Sequence, residues 1–247
     1  MNPLMQISQL SLQRGSKQIL NDVSFAIRPG EITVILGTNG AGKSSLLLAL
    51  AGLIPAGGTL LLHDTPVNSF SRVELASQIA WQGELPPTEF GLTVHQRLQL
   101  ADQHGDIESA AERMDIVPLL NRVLGELSSG ERQRVELAAL ILRDAPIWLL
   151  DEPTTHLDLK HQTRCLNMMK EQAANGRAIV TVLHDLQQAA AIARQVALLD
   201  GSGGAEIGTA DEMLTIEKLS QLFDTPLIKQ GKVWAPDYGE VNYESTR

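Results

Sequence analysis

Residues 31–44 constrain the fold more than any other stretch. An apolar, β-branched run, Glu31-Ile32-Thr33-Val34-Ile35-Leu36, passes directly into Gly37-Thr38-Asn39-Gly40-Ala41-Gly42-Lys43-Ser44. The run suits a strand buried on both faces. The loop matches GxxxxGK[ST] in full, and a helix is expected from Lys43 through Ala51, ended by Gly52 and Pro55. In such a strand–loop–helix unit the glycines let backbone N–H groups turn inward around phosphate oxygens. The helix N-terminus adds a dipole that favours the same anion. Lys43 is expected to contact the β- and γ-phosphates and the Ser44 hydroxyl to bind Mg²⁺. Gly37, Thr38, Asn39, Gly40, Ala41, Gly42 and Ser45 complete the cradle.

A second apolar run, Ile147-Trp148-Leu149-Leu150, ends in Asp151-Glu152. Parallel sheets present ligand-facing groups at the carboxyl ends of their strands. Asp151 can therefore hold Mg²⁺ through water opposite Ser44. Glu152 can orient an attacking water or accept its proton, a contribution of about 10²–10⁴ in rate. His184 follows the strand-like run Ile179 to Leu183 and can hydrogen-bond a γ-phosphate. Gln82 follows Ala80-Trp81 and can reach the metal or the water.

Bulk properties narrow the class. The 247 residues suffice for one large domain, with 43% hydrophobic residues and only 4% aromatics, so the core must be mostly Leu, Ile, Val and Ala. A net charge of −9 argues against broad contact with nucleic acid. Cys165 is the single cysteine; it excludes an internal disulfide, fits a reducing compartment and reads as a packing residue. Residues 1–9 lack a basic start and an apolar block, so no signal peptide is expected. No apolar run reaches the roughly 18 residues of a membrane span. Work at a membrane would require another chain as anchor.

Strands are expected over Met5 to Leu12, Val23 to Ile27, Thr59 to Leu62, Ile147 to Leu150, Ile179 to Leu183 and Val196 to Leu199. Residues 84–145 change to a helical pattern after Pro86-Pro87, with Leu92, Val94, Leu98 and Leu100, then Ala110 to Met114, then a helix from Ser129 to Arg143. Strands alternating with helices on either side of this insertion indicate a parallel sheet covered by helices. The polar tail, Lys232 to Arg247, is expected to be partly disordered.

Leu127-Ser128-Ser129-Gly130-Glu131, followed by Arg132-Gln133-Arg134-Val135, resembles the LSGGQ signature of ABC transporter ATP-binding subunits. Gln82 fits that family's Q-loop, Thr154-Thr155-His156-Leu157-Asp158 its D-loop and His184 its H-loop. The motifs fall in family order, and the resemblance covers about residues 5 to 230. It implies an α/β fold: a RecA-like P-loop NTPase core (about 1–83 and 146–230) with a small antiparallel β-subdomain. A helical subdomain (84–145) would be inserted in that core, and 231–247 would form a tail. It further implies two copies facing head to tail around two ATP molecules. Each ATP would touch Lys43, Ser44, Gln82, Asp151, Glu152 and His184 of one copy and Ser128, Ser129 and Gly130 of the other, with Glu131 and Asp158 also among the nucleotide-binding residues. Mg²⁺ would lie against Ser44, Gln82 and Asp151. Two transmembrane permease subunits would bind the pair at the cytoplasmic side of the cell membrane. A substrate-binding protein would act indirectly and nucleic acid would have no part.

Three positions depart from the family pattern. Ser129 stands for the first glycine of the signature and Glu131 for its glutamine. Arg14 stands where an aromatic ring usually stacks on adenine, a role a flat guanidinium can also fill. Asp151 to Gln162, Gly208 to Thr215 and Leu222 to Pro226 resemble importers of iron-siderophores, haem and cobalamin, and Pro86-Pro87 resembles the cobalamin branch. The alternatives are an importer of another small substrate or a soluble ABC ATPase. The soluble class usually carries two ATPase halves or a long coiled coil, and this chain has one set of motifs and no heptad run.

Overall fold

The computed structural model describes residues 2–83, 85, 91–102, 105–231 and 233–237. β1 (Met5–Arg14) and β2 (Lys17–Ile27) form an antiparallel pair. β3 (Ile32–Gly37) enters a different sheet and delivers the glycine loop to α1 (Lys43–Leu50). β4 (Gly57–Leu62) returns to β1, and β5 (Thr65–Pro66) adds to β4, which completes the order β2-β1-β4-β5. α2 (Arg72–Gln78) then leads into β6 (Ile79–Gln82), an edge strand of the main sheet. Three helices follow: α3 (Val94–Gln99), α4 (Ile107–Arg113) and α5 (Ser129–Ile141).

The chain then resumes alternation. β7 (Ile147–Asp151), α6 (Leu159–Ala174), β8 (Ala178–Val182), α7 (Leu186–Ile192) and β9 (Gln195–Leu199) follow in turn. β10 (Ala205–Thr209), α8 (Ala210–Met213), α9 (Ile216–Phe223) and the hairpin β11 (Leu227–Gln230) with β12 (Val233–Pro236) end the described chain.

The main sheet has the order β10-β9-β3-β8-β7-β6, parallel throughout except for β10. Its strands alternate with period two between two cores. Val34, Leu36, Trp148, Leu150 and Ile179 join α5 and α6 on one face. Ile35, Ile147, Leu149, Val180 and Val182 join α1 and the antiparallel sheet on the other. Burial on both faces explains why these strands read as continuous apolar runs. The parallel register sets β3, β8, β7 and β6 with their carboxyl ends along one edge: Ile35 pairs with Val182, Asp151 with Val182 and Gln82 with Leu150.

Several elements differ from the sequence expectation. β2 begins at Lys17 because Lys17, Gln18 and Leu20 pair with Arg14, Gln13 and Leu12 of β1, although the first two are polar. α2 and β6 lack a strong periodic signal of their own; a Ser71–Glu74 capping box starts α2, and pairing with β7 creates β6. Leu100 is exposed because α3 stops at Gln99. Part of the tail is ordered: in β12 Trp234 is buried, with the Lys229 ammonium 4.1 Å from its ring centroid. Pro86-Pro87 and residues 238–247 lie outside the described residues. Cys165 is fully buried and its thiol is pushed up to about 12 by desolvation, in keeping with a packing role. Among the described residues no helix is long and apolar enough to cross a membrane.

Candidate functional site

The glycine loop is shaped by close approaches. A Cβ on Gly37 would lie 2.5 Å from the Leu199 carbonyl oxygen. Gly42 has φ +94, and a Cβ there would lie 2.7 Å from Ile19 Cγ2. Only glycine meets both conditions. Lys43 is buried, and its Nζ donates to the carbonyls of Gly37 and Thr38 at 2.9 Å each. Burial pushes its ammonium below the ordinary value, and the carboxylates of Glu152 and Asp151 pull it back up. The N-terminus of α1 carries no side-chain cap and no acidic residue in its first turn. Uncapped N–H groups beside a fixed ammonium suit a phosphate chain.

Two adjoining cavities meet at the loop. One, of about 230 Å³, is lined by Arg14, Ile19, Asn39, Lys43, Ser44 and Glu152 among others. The second, of about 280 Å³, is lined by Ser44, Gly83, Gln133, Asp151, Glu152 and Thr155 among others. Ser44 and Glu152 face both. Gln82 is buried at the end of β6; its Nε2 donates to the Gly83 carbonyl at 2.8 Å, and its Oε1 has no partner. Amide oxygens, hydroxyls and carboxylates are the oxygen ligands that Mg²⁺ prefers, and Ser44 and Asp151 line the same cavity, next to Gly83 at the end of β6. Arg14, expected near the base, stands with the phosphate-loop residues at the end of β1.

Glu152 leaves β7 with φ +51, a left-handed conformation in a residue that precedes proline. Both features are unfavourable and require support from the surroundings. Thr155 supplies part of it: its N–H donates to the Glu152 carbonyl at 3.1 Å and its hydroxyl to Oε2 at 3.3 Å. His184 Nε2 lies 2.5 Å from Glu152 Oε1. Behind the loop, Thr154 donates to Gln188 Oε1 at 2.8 Å, which links it to α7 just beyond His184.

The signature stands apart from this cluster. Ser128 caps α5 in a reciprocal box with Glu131: the Glu131 N–H donates to Ser128 Oγ at 3.2 Å, and the Ser128 N–H donates to Glu131 Oε2 at 2.8 Å. The Ser128 N–H and the Ser128 hydroxyl, both donating to Oε2, hold the Glu131 carboxyl below its usual range. Glu131 thus completes the cap. Ser129 is exposed, and neither Ser128 nor Ser129 lines the two cavities. Gly130 approaches the loop after β7 so closely that a Cβ would lie 2.6 Å from the His156 carbonyl oxygen. Asp158 caps α6, accepting from the His161 N–H at 2.8 Å. Sequence reasoning assigned no individual role to Thr155, Gln133 or Gln188. Each acts through backbone or side-chain contacts that local patterning does not encode.

Comparison with known proteins gives the family. The ABC transporter family model matches residues 20–155. The chain is 36% identical over 236 residues to the hemin import ATP-binding protein HmuV of Shewanella denitrificans, covering 89% of this chain and 93% of that protein. It is 38% identical over 224 residues to the hemin import ATP-binding protein HmuV of Nocardia farcinica, covering 86% and 78%. A solved ATP-binding subunit of an ABC transporter superposes with a TM-score of 0.78 at 24% identity, covering 89% of this chain and 94% of that one, a likeness of fold. With a complete phosphate loop, a Glu152–His184 pair beside it and this match, the chain belongs to the ABC transporter family as one of its ATP-hydrolysing subunits.

Proposed function

We propose that the chain powers import of a metal chelate, haem in the first place, through a separate membrane permease. Relatives that share more than a third of its sequence over most of their length carry the name of hemin import ATP-binding proteins. Two copies pair head to tail at the cytoplasmic face of the membrane. In each, Gly37, Thr38, Asn39, Gly40, Ala41, Gly42, Lys43 and Ser45 hold the phosphates and Arg14 lies against the base. Ser44, Gln82 and Asp151 hold Mg²⁺, which when bound neutralises charge on the phosphate oxygens. Glu152 orients the attacking water and takes its proton, and His184 fixes the carboxylate and meets the γ-phosphate. Ser128, Ser129, Gly130, Glu131 and Asp158 serve the nucleotide of the other copy. Residues 1–83 and 146–230 act as the core and 84–145 as the helical unit that meets the permease.

One observation carries the two-copy reading. Lys43, Ser44, Asp151 and Glu152 surround one site, while Ser128 and Ser129, at the N-terminus of α5, lie outside both of its cavities. The first-turn N–H groups of α5 that the Ser128–Glu131 box does not take up are suited to an anion supplied by another copy. The test is to isolate the tagged chain from its native membrane in detergent, identify the co-purifying proteins, and reconstitute them in vesicles with ATP inside. ATP-driven uptake of haem in preference to a ferric siderophore or cobalamin is expected. Preference for another cargo would correct the cargo alone. A soluble ATPase with no membrane partner would overturn the importer reading.

A further inference from the structure

We infer that Gln133 is a positioning residue for Glu152 of its own chain, and that through it α5 connects the signature to that carboxylate. Gln133 is only 4% exposed, and its Nε2 donates to the Pro153 carbonyl at 2.9 Å. Pro153 directly follows Glu152, whose φ of +51 before a proline is held only by its surroundings. Gly130 lies one helical turn earlier on the same face of α5. Its Cα approaches the His156 carbonyl to a distance that leaves no room for a Cβ. Two successive turns of the helix therefore grip both ends of the 152–156 loop, one by contact and one by a buried hydrogen bond.

The grip is stiff because neither anchor has an inexpensive alternative. Losing the Gln133 amide would leave a buried carbonyl with only the weak Cys165 S–H donor, at 4.0 Å. Shifting Gly130 inward would drive backbone against backbone. The same helix begins at Ser128 and Ser129, which line neither of the chain's own two cavities. In the two-copy arrangement, on which this inference rests, those serines meet the partner's nucleotide. A displacement of α5 caused there reaches Glu152 of the same chain through Gln133. The two ATP sites are then coupled through each chain's own signature helix.

Gln133→Met keeps side-chain length and removes the donor. In the nucleotide-free protein, hydrogen exchange at the Thr155 amide is expected to rise about tenfold or more while amides of β7 stay protected, a readout independent of turnover. Mixed pairs separate an action on the chain's own Glu152 from an action through the signature. A Gln133→Met chain paired with a Glu152→Gln chain leaves one working carboxylate, on the chain without the amide. A Gln133→Met, Glu152→Gln double variant paired with the unaltered chain leaves it on the chain that keeps the amide. The first pair is expected to hydrolyse ATP about tenfold or more slower than the second, since small misplacements of reacting groups cost up to about 10²-fold. Equal rates, the opposite order or unchanged Thr155 exchange would each overturn the inference. Failure of the Glu152→Gln chain alone to dimerise with ATP would instead remove the two-copy reading, and the inference with it.

Discussion

His184 Nε2 stands 2.5 Å from Glu152 Oε1, although 32 residues separate them in the chain. The two groups share one hydrogen bond, whose direction follows the imidazole tautomer. β7 and β8 are neighbours, and each residue follows the carboxyl end of its strand. The histidine thus limits the rotamers of a carboxylate whose backbone is already held in an unfavourable conformation. Glu152→Gln is expected to lower phosphate release by about 10²–10⁴-fold while ATP binding persists and an ATP-bound dimer accumulates. Phosphate release and sedimentation with ATP check both parts. Turnover at the normal rate would show that Glu152 is not the base.

Lys43 rests on two loop carbonyls, Gly37 and Thr38, so its ammonium is already placed before nucleotide arrives. Lys43→Ala is expected to weaken ATP binding about 10–100-fold, the worth of a charge-assisted hydrogen bond. Calorimetric titration reads it directly. Unchanged affinity and unchanged hydrolysis would remove the phosphate-loop assignment.

Neighbouring signature positions should respond in opposite ways. A methyl group at Gly130 meets the His156 carbonyl oxygen at 2.6 Å, so Gly130→Ala is expected to destabilise by about 1–3 kcal/mol and to lower turnover. Ser129 is exposed in the first turn of α5, so Ser129→Gly is expected to preserve or raise ATPase activity. Thermal melts and phosphate release for the two variants side by side provide the check. A large loss of activity in Ser129→Gly would show that the hydroxyl is used.

Acid should loosen the start of α5. The bonds from Ser128 hold the Glu131 carboxyl below its unfolded value. Its contribution to stability is therefore complete above the unfolded value and is lost as the pH falls through the folded one. For Glu131→Gln, the part of the Tm decline between about pH 5 and pH 3 due to this group is expected to vanish, because glutamine keeps the reciprocal cap without titrating. Identical slopes for the two proteins would show that the cap contributes no proton linkage.

Much of this was readable locally. Gly37 to Ser44 specified its own strand–loop–helix context because glycine conformations and a helix N-terminus are properties of consecutive residues. α2 and β6 were not readable: Arg72 to Gln78 is mostly polar, and Ile79 to Gln82 is too short to show a period. β12, the hairpin strand that carries Trp234, lay within a stretch whose composition suggests disorder, since one aromatic residue finds its shelter in residues distant in sequence.

By itself the sequence determined the strand–loop–helix unit around the phosphate loop, the alternation of strands and helices from β7 to β9, and the types of residue that end β7 and follow β8. Hydrogen-bond geometry and side-chain period act over a few residues and leave their mark in composition. Only the tertiary structure decided that His184 reaches Glu152, that Gln82 ends with a buried, unpartnered oxygen, and that Gln133 holds the peptide after Glu152. Those relations depend on which strands lie side by side and how closely a helix packs over a loop, and a parallel sheet sets them among residues far apart in the chain.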